Sequence, residues 1–259
     1  MSARAEVFSY SRLNTFDTCR YRYKFQYIDK LPQGPTTIEA FMGSRVHQAL
    51  EEWYGRRALG EAVGLQELID AYRESWRREW RDEVRIVKRG RTPEHYCNAG
   101  ERCLITYYQT TGRGDSTETL AMELRVEIHL DADGTPALQG YVDRLARAED
   151  GVLEIHDYKT TSKLPSDREV EEDPQLALYQ IGIERLFPKA PGIRLVRHFL
   201  SFGRQHRTQA GPHQLVQIRE QVRAKIGEIQ ACTEFPPHVT PLCRWCAYQD
   251  RCDAWKGAL

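Results

Sequence analysis

Two short segments carry groups able to do metal-assisted hydrolysis. One is Gly140-Tyr141-Val142-Asp143-Arg144 and the other is Ile155-His156-Asp157-Tyr158-Lys159-Thr160. Side chains two apart on a strand share a face, so Asp157 and Lys159 point together and Tyr158 points away. If the two segments pair as a hairpin, Asp143 comes near Asp157. Two carboxylates and a lysine at one sheet edge suit phosphoryl chemistry. Hard divalent cations take carboxylate oxygens, and a bound cation polarises a phosphoryl oxygen and acidifies a water. An adjacent ammonium orients that water or offsets the charge building on phosphate. An isolated Asp-x-Lys usually reads as two solvated residues on an exposed strand. Here it has company: His47 on a candidate helix after Phe41-Met42-Gly43, then Gln175 and Tyr179, four apart and so on one helix face.

The seven cysteines supply a second chemistry. Cys243-x-x-Cys246 and then Cys252 place three soft ligands close together, and three such ligands call for a fourth. Cys232 and His238 are near in sequence, Cys19 lies at the other end, and Cys97 and Cys103 fall in a candidate helix as structural residues. Thiolates bind an iron–sulfur cluster or a tetrahedral zinc, and the spacing leaves both open. No signal-peptide core opens the chain and no stretch approaches the ~20 apolar residues of a bilayer span. The expectation is therefore a cytoplasmic protein without membrane contact, in which clustered cysteines bind metal rather than form disulfides.

The elements that must position these groups follow from periodicity. Helical spacing covers Arg12 to Tyr27, Ser44 to Arg57, Leu65 to Val87 and Cys97 to Thr110. Leu124 to Leu130 alternates as a strand, Leu138 to Arg147 and Val152 to Thr160 follow, and Glu149-Asp150-Gly151 is the turn between the last two. Asp173-Pro174 reads as N-cap and first residue of a helix running to Leu186. Arg194 to Phe202 is a fourth strand and His213 to Cys232 a closing helix. Residues 1–115 are thus a helical part, 116–232 a core and 233–259 a cysteine tail, expected to form one domain over 1–259.

The 259 residues carry no net charge, so overall charge excludes no partner. Charge is segregated, however. Lys189 to Lys225 holds eight Lys/Arg and one acid, Glu220, and reads as a candidate track for a nucleic-acid backbone. Asp167 to Asp173 is acidic. Trp76 and Trp80, four apart among arginines, could stack bases, but such a stripe more often packs a core.

Taken in order, the early His, Gly-x-x-Asp-Arg, Asp-Tyr-Lys-Thr and Gln-x-x-x-Tyr resemble the RecB-like branch of the PD-(D/E)XK nucleases. Phe8-Ser9-Tyr10-Ser11-Arg12-Leu13 leading to Cys19 and Tyr23 resembles that branch's opening motif. Each motif alone is common; their order from Ser9 to Cys252 carries the resemblance. It implies a restriction-endonuclease-like α/β fold, a central mixed sheet flanked by helices. It implies metal ligation (Mg2+ or Mn2+) by His47, Asp143, Asp157 and the Tyr158 carbonyl, with Lys159 catalytic. Gln175 and Tyr179 would position the DNA or the lysine, and Glu123 matches an acid that often precedes the strands. Cys19 with Cys243, Cys246 and Cys252 matches the iron–sulfur branch, which implies a [4Fe-4S] cluster, with structural zinc as the alternative. The name-giving proline is absent, since Val142 precedes Asp143. RecB-like members commonly lack it.

The implied function is a DNA nuclease, a single-strand exonuclease or end-processing enzyme, similar to the RecB and AddB nuclease domains and the CRISPR adaptation nuclease. Repair, recombination or antiviral defence are the implied settings. No Gly-x-x-x-x-Gly-Lys-Ser/Thr loop occurs, so any helicase partner is a separate protein. A non-catalytic DNA-binding module and an iron–sulfur sensor are the rival readings. Both leave the acids and lysine without a task.

Overall fold

A computed structural model describes residues 7–131 and 137–257. The chain opens with α1 (Tyr10–Thr18), α2 (Arg20–Tyr23) and a π turn (Lys24–Ile28). Three longer helices follow, α3 (Ile38–Ala58), α4 (Leu65–Glu79) and α5 (Pro93–Thr110). Strands β1 (Glu118–Ile128), β2 (Leu138–Arg147) and β3 (Leu153–Lys159) then meander into α6 (Asp167–Glu171) and α7 (Gln175–Leu186). β4 (Ile193–Phe199), β5 (Arg204–Thr208), α8 (Pro212–Ala231), two 3-10 turns and α9 (Asp253–Lys256) complete it.

The five strands form one mixed sheet in sequential order, parallel only between β3 and β4. That parallel pair needs a crossover, which α6 and α7 provide. Apolar side chains of β1–β4 bury against α1, α7 and α8 on one face, through Val126, Val142, Ile155, Leu178 and Leu215. A second core unites α3, α4 and α5 with Tyr158 on the other face, through Val46, Leu50, Trp53, Leu68 and Leu104. This is the expected restriction-endonuclease-like arrangement, a mixed sheet between helical layers.

Element ends differ from the sequence reading in informative ways. The first helix is broken at Cys19, whose extended backbone (φ −164°, ψ 112°) separates α1 from α2. α3 starts at Ile38, six residues before Ser44, because Thr37 caps it by accepting from the Ala40 N–H. α4 stops at Glu79 rather than Val87. Trp80 turns extended, and Arg85 beyond it bonds Thr36 and Ile38 as a bridge. α7 begins at Gln175 with Pro174 ahead of it, and the Asp173 carboxylate accepts from the Gln175 N–H at 3.0 Å. β4 ends at Phe199, where a 3-10 turn and left-handed Gly203 lead into β5. Trp76 packs edge-on to Phe41 and stacks with Trp80 at 5.8 Å, so this pair belongs to the core. No helix among the described residues is long and apolar enough to cross a membrane.

Candidate metal centre and cysteine cavity

The β2–β3 ladder runs from Arg147↔Leu153 to Arg144↔His156 and goes no further. Beyond that pair the Tyr158 N–H donates to the Asp143 carboxylate at 2.7 Å instead of to a strand carbonyl. The opening so made is where the predicted residues collect. α3 brings His47 over it. His47 Nε2 lies 2.8 Å from the Tyr158 carbonyl, which can only accept, so Nε2 carries a proton and, in the neutral ring, Nδ1 holds the lone pair. Nδ1 lies 3.6 Å from Asp143 Oδ2. On β1, Glu123 sits opposite Asp143, between the Met122↔Arg144 and Leu124↔Val142 pairs. Its φ of +45° is a left-handed conformation that a glutamate rarely adopts.

His47, Glu123 and Asp143 offer donor atoms all within 4.8 Å of one another. Burial pushes the Asp143 carboxyl up; His47 pulls it back, and Asp157 adds to the rise. Burial also raises Glu123, with the Asp143 charge second. Like charges directly across a ladder repel. An imidazole lone pair and two carboxylates held together against that repulsion fit a divalent cation.

Asp157 lies outside this close group. Lys159 Nζ donates to its Oδ1 at 2.8 Å and Arg197 Nε to its Oδ2 at 3.1 Å. Lys159 Nζ also reaches Gln175 Oε1 at 3.2 Å, and Gln175 Nε2 donates to the Tyr179 hydroxyl at 3.2 Å. The Tyr179 ring lies across Gly140, where a Cβ would fall 2.3 Å from it, so this position of the Gly-x-x-Asp-Arg segment has room for no side chain. The arginine of that segment is structural. Arg144 is fully buried, pairs with Asp115 at 2.7 Å and covers the Tyr54 ring at 3.7 Å. Burial opposes ionisation of Asp115, yet the Arg144 charge holds its carboxyl well below the usual range.

Sequence reasoning missed the role of Arg197. It is buried on β4, holds Asp157, and pairs through Nη1 with Asp173 at 2.9 Å. It thereby ties the strand of Asp157 and Lys159 to the start of the helix bearing Gln175 and Tyr179. The available signal was an arginine inside an apolar strand run, Leu195-Val196-Arg197-His198-Phe199, where charge must be paired.

Cys19, Cys243, Cys246 and Cys252 line one cavity of about 260 Å³ with His238, Tyr21 and Trp255. All four are free thiols. Backbone N–H groups donate to three of them at 3.4 Å: His238 to Cys19, Thr240 to Cys243 and Tyr248 to Cys246. Cys232 bonds the Glu234 carbonyl and does not line the cavity. Cys97 and Cys103 sit in α5, Cys103 buried beside Ser201. The tail is docked without any metal contact as well. Arg85 donates to Gln249 and to the Arg244 and Cys246 carbonyls, and Gly34 donates to the Ala247 carbonyl.

The description of the PD-(D/E)XK nuclease superfamily matches residues 7–253. The chain belongs to this superfamily. Its members are nucleases that use divalent metals, which is the chemistry the His47–Glu123–Asp143 group fits. A comparison with curated proteins gives no match. Among solved structures, one titled "Crystal structure of SSO0001" is 12% identical, with 91% of this chain and 94% of that chain covered and a TM-score of 0.35.

Proposed function

We propose that this superfamily member is a RecB-like DNA nuclease of the iron–sulfur branch, acting on single strands or free ends. The observation that carries the reading is the convergence of His47, Glu123 and Asp143 on one side of β3 with Lys159, Asp157 and Gln175 at its end. His47, Glu123 and Asp143 would hold Mg2+ or Mn2+, and the Tyr158 carbonyl fixes the imidazole so that its lone pair faces Asp143. When bound, the cation polarises the phosphoryl oxygen and acidifies the attacking water. Lys159 offsets the charge that builds on the phosphate. Asp157, Arg197 and Gln175 hold the lysine where it can do so. Asp157 could join the ligands only by sharing an oxygen that Lys159 or Arg197 now engages. The intact acids and lysine favour an enzyme over a binding module.

Four free thiols lining one cavity support a thiolate-bound metal group, and the pattern of Cys19 with Cys243, Cys246 and Cys252 favours [4Fe-4S], with tetrahedral zinc as the alternative. A cytoplasmic setting in repair, recombination or antiviral defence, beside a separate helicase, accords with this reading. Digestion of end-labelled single- and double-stranded DNA tests it. Cleavage of single strands in Mg2+ or Mn2+, abolished by chelator, is expected. Metal-independent cleavage, or none with any divalent ion, contradicts it.

A further inference from the structure

The basic stretch from Lys189 to Lys225 is largely neutralised in the fold. Arg194 pairs with Asp150 and Glu154, Arg197 with Asp157 and Asp173, and Arg207 with Glu154. Arg223 pairs with Asp131, and Lys225 with Asp17 and Glu228. Cations bound in this way to carboxylates are poorly placed to release counterions from a polyanion.

A different cationic group adjoins the metal pocket. Lys88, Arg91 and His95, at the start of α5 and just before it, line a cavity of about 480 Å³. Thr161 and Ser162, directly after Lys159, also line it. This cavity and the pocket of His47 and Glu123 share Glu39 and Thr160, so they are neighbouring parts of one groove. Among the described residues no carboxylate pairs with Lys88 or Arg91. The polar contact of Arg91 is with His95 Nδ1, at 3.4 Å. The one acid on the wall, Glu39, accepts from the Tyr96 hydroxyl at 2.9 Å. Partial burial and the charges of Arg91, Arg102 and Lys88 together keep His95 below the usual histidine range. Positive charge gathered without counter-charge beside a phosphoryl-transfer site asks for an anion.

We propose that this cavity is a nucleotide subsite. It takes the nucleotide next to the scissile phosphate, with that nucleotide's own phosphate on Lys88 and Arg91 and its sugar near the Thr161 and Ser162 hydroxyls. Met42, Tyr96 and Cys103 give the cavity apolar walls. The strand path therefore crosses the end of β3 toward the start of α5, away from the Lys189–Lys225 stretch. This inference rests on the nuclease reading above.

The test measures binding, without turnover. A fluorescein-labelled single-stranded oligodeoxynucleotide is titrated with full-length protein in Ca2+ over a range of NaCl. The parent, Lys88→Ala/Arg91→Ala, Asp143→Ala and Arg219→Ala are compared. Loss of the one phosphate contact that the two cations share makes the log–log salt slope shallower by about 0.7, the value per phosphate on single strands. Affinity at physiological salt should fall at least about tenfold for the double variant. Arg219→Ala should match the parent. Unchanged affinity and slope in the double variant, with a parent that binds, overturns the subsite and leaves the nuclease reading standing. A parent that binds no oligonucleotide even at low salt removes both. Asp143→Ala should lose cleavage, which tests the nuclease reading separately from the salt slope of the double variant.

Discussion

The groups around Asp143 hang from a five-stranded sheet and a 21-residue helix, and His47 and Asp143 are each fixed by a bonded neighbour in that frame. The thiols of the tail hang from 3-10 turns of five and three residues and from the cap of a four-residue helix, none of which buries a side chain. Tyr248, buried against Phe25, and the Arg85 bridge are the main anchors between them. A site on rigid elements can be assembled before its cation arrives, even against the repulsion of Glu123 and Asp143. A site on short turns has little apolar burial to draw on, and ligand binding there becomes folding energy. The two regions should therefore respond oppositely to loss of their ligands.

The largest effect should come from the metal pocket. Asp143→Asn is expected to lower cleavage at least about a thousandfold, roughly 4 kcal/mol of barrier, while the fold persists. A variant that retains a tenth of parental activity would remove Asp143 from the chemistry. In the tail the order of effects should invert. If the tail holds the proposed cluster, Cys19→Ala should bleach its brown absorbance and lower the melting temperature, with activity falling in proportion to the folded fraction. Parental melting temperature in Cys19→Ala would show that Arg85 and Tyr248 suffice to hold the tail. One tightly bound zinc in colourless parent protein would favour the tetrahedral site.

Arg197 sharpens the contrast within the sheet. Arg197→Ala leaves Asp157 buried and short of a cation, a loss that typically costs about 3–5 kcal/mol. Arg197→Lys keeps the charge but not a fork able to hold Asp157 and Asp173 together, and should fold better yet cleave more slowly than the parent. Equal activity in Arg197→Lys would show that the fork does not position Lys159. The smallest effect concerns pH. A carboxyl whose folded pKa is raised opposes folding once it ionises, so the penalty is absent below the unfolded pKa and grows as pH rises. Burial raises both Asp143 and Glu123. Metal-free Asp143→Asn should therefore melt above metal-free parent at neutral pH, and the gap should close toward the ordinary carboxylate range. A constant gap across that range would deny the buried charge its cost.

Much of the candidate pocket's placement was legible in the sequence because strand periodicity and ordered motifs fix which side chains share a face. His47, Asp143, Tyr158, Lys159, Gln175 and Tyr179 do meet around β3. What stayed hidden was decided by tertiary contact. The cation partners of Asp157 lie partly on β4, a pairing that local pattern does not encode. Glu123 takes a backbone conformation usually left to Gly or Asn, so residue type gives no hint of it. β5, Arg-Gln-His-Arg-Thr, has no apolar alternation because it is a short, solvent-facing edge. The Lys189–Lys225 charges looked free in one dimension because their acids come from Asp17, Asp131, Glu154 and Asp157, distant in sequence.

The most direct measurement is single-turnover cleavage of end-labelled single-stranded DNA by Lys159→Ala, in saturating Mn2+ and at matched folded fraction. Lys159 belongs to no ligand group, so the variant should bind the metal and the strand as the parent does. The account predicts a rate at least about a hundredfold below the parent, in keeping with loss of one preorganised charge beside the transition state. A Lys159→Ala protein that cleaves at the parental rate would contradict it.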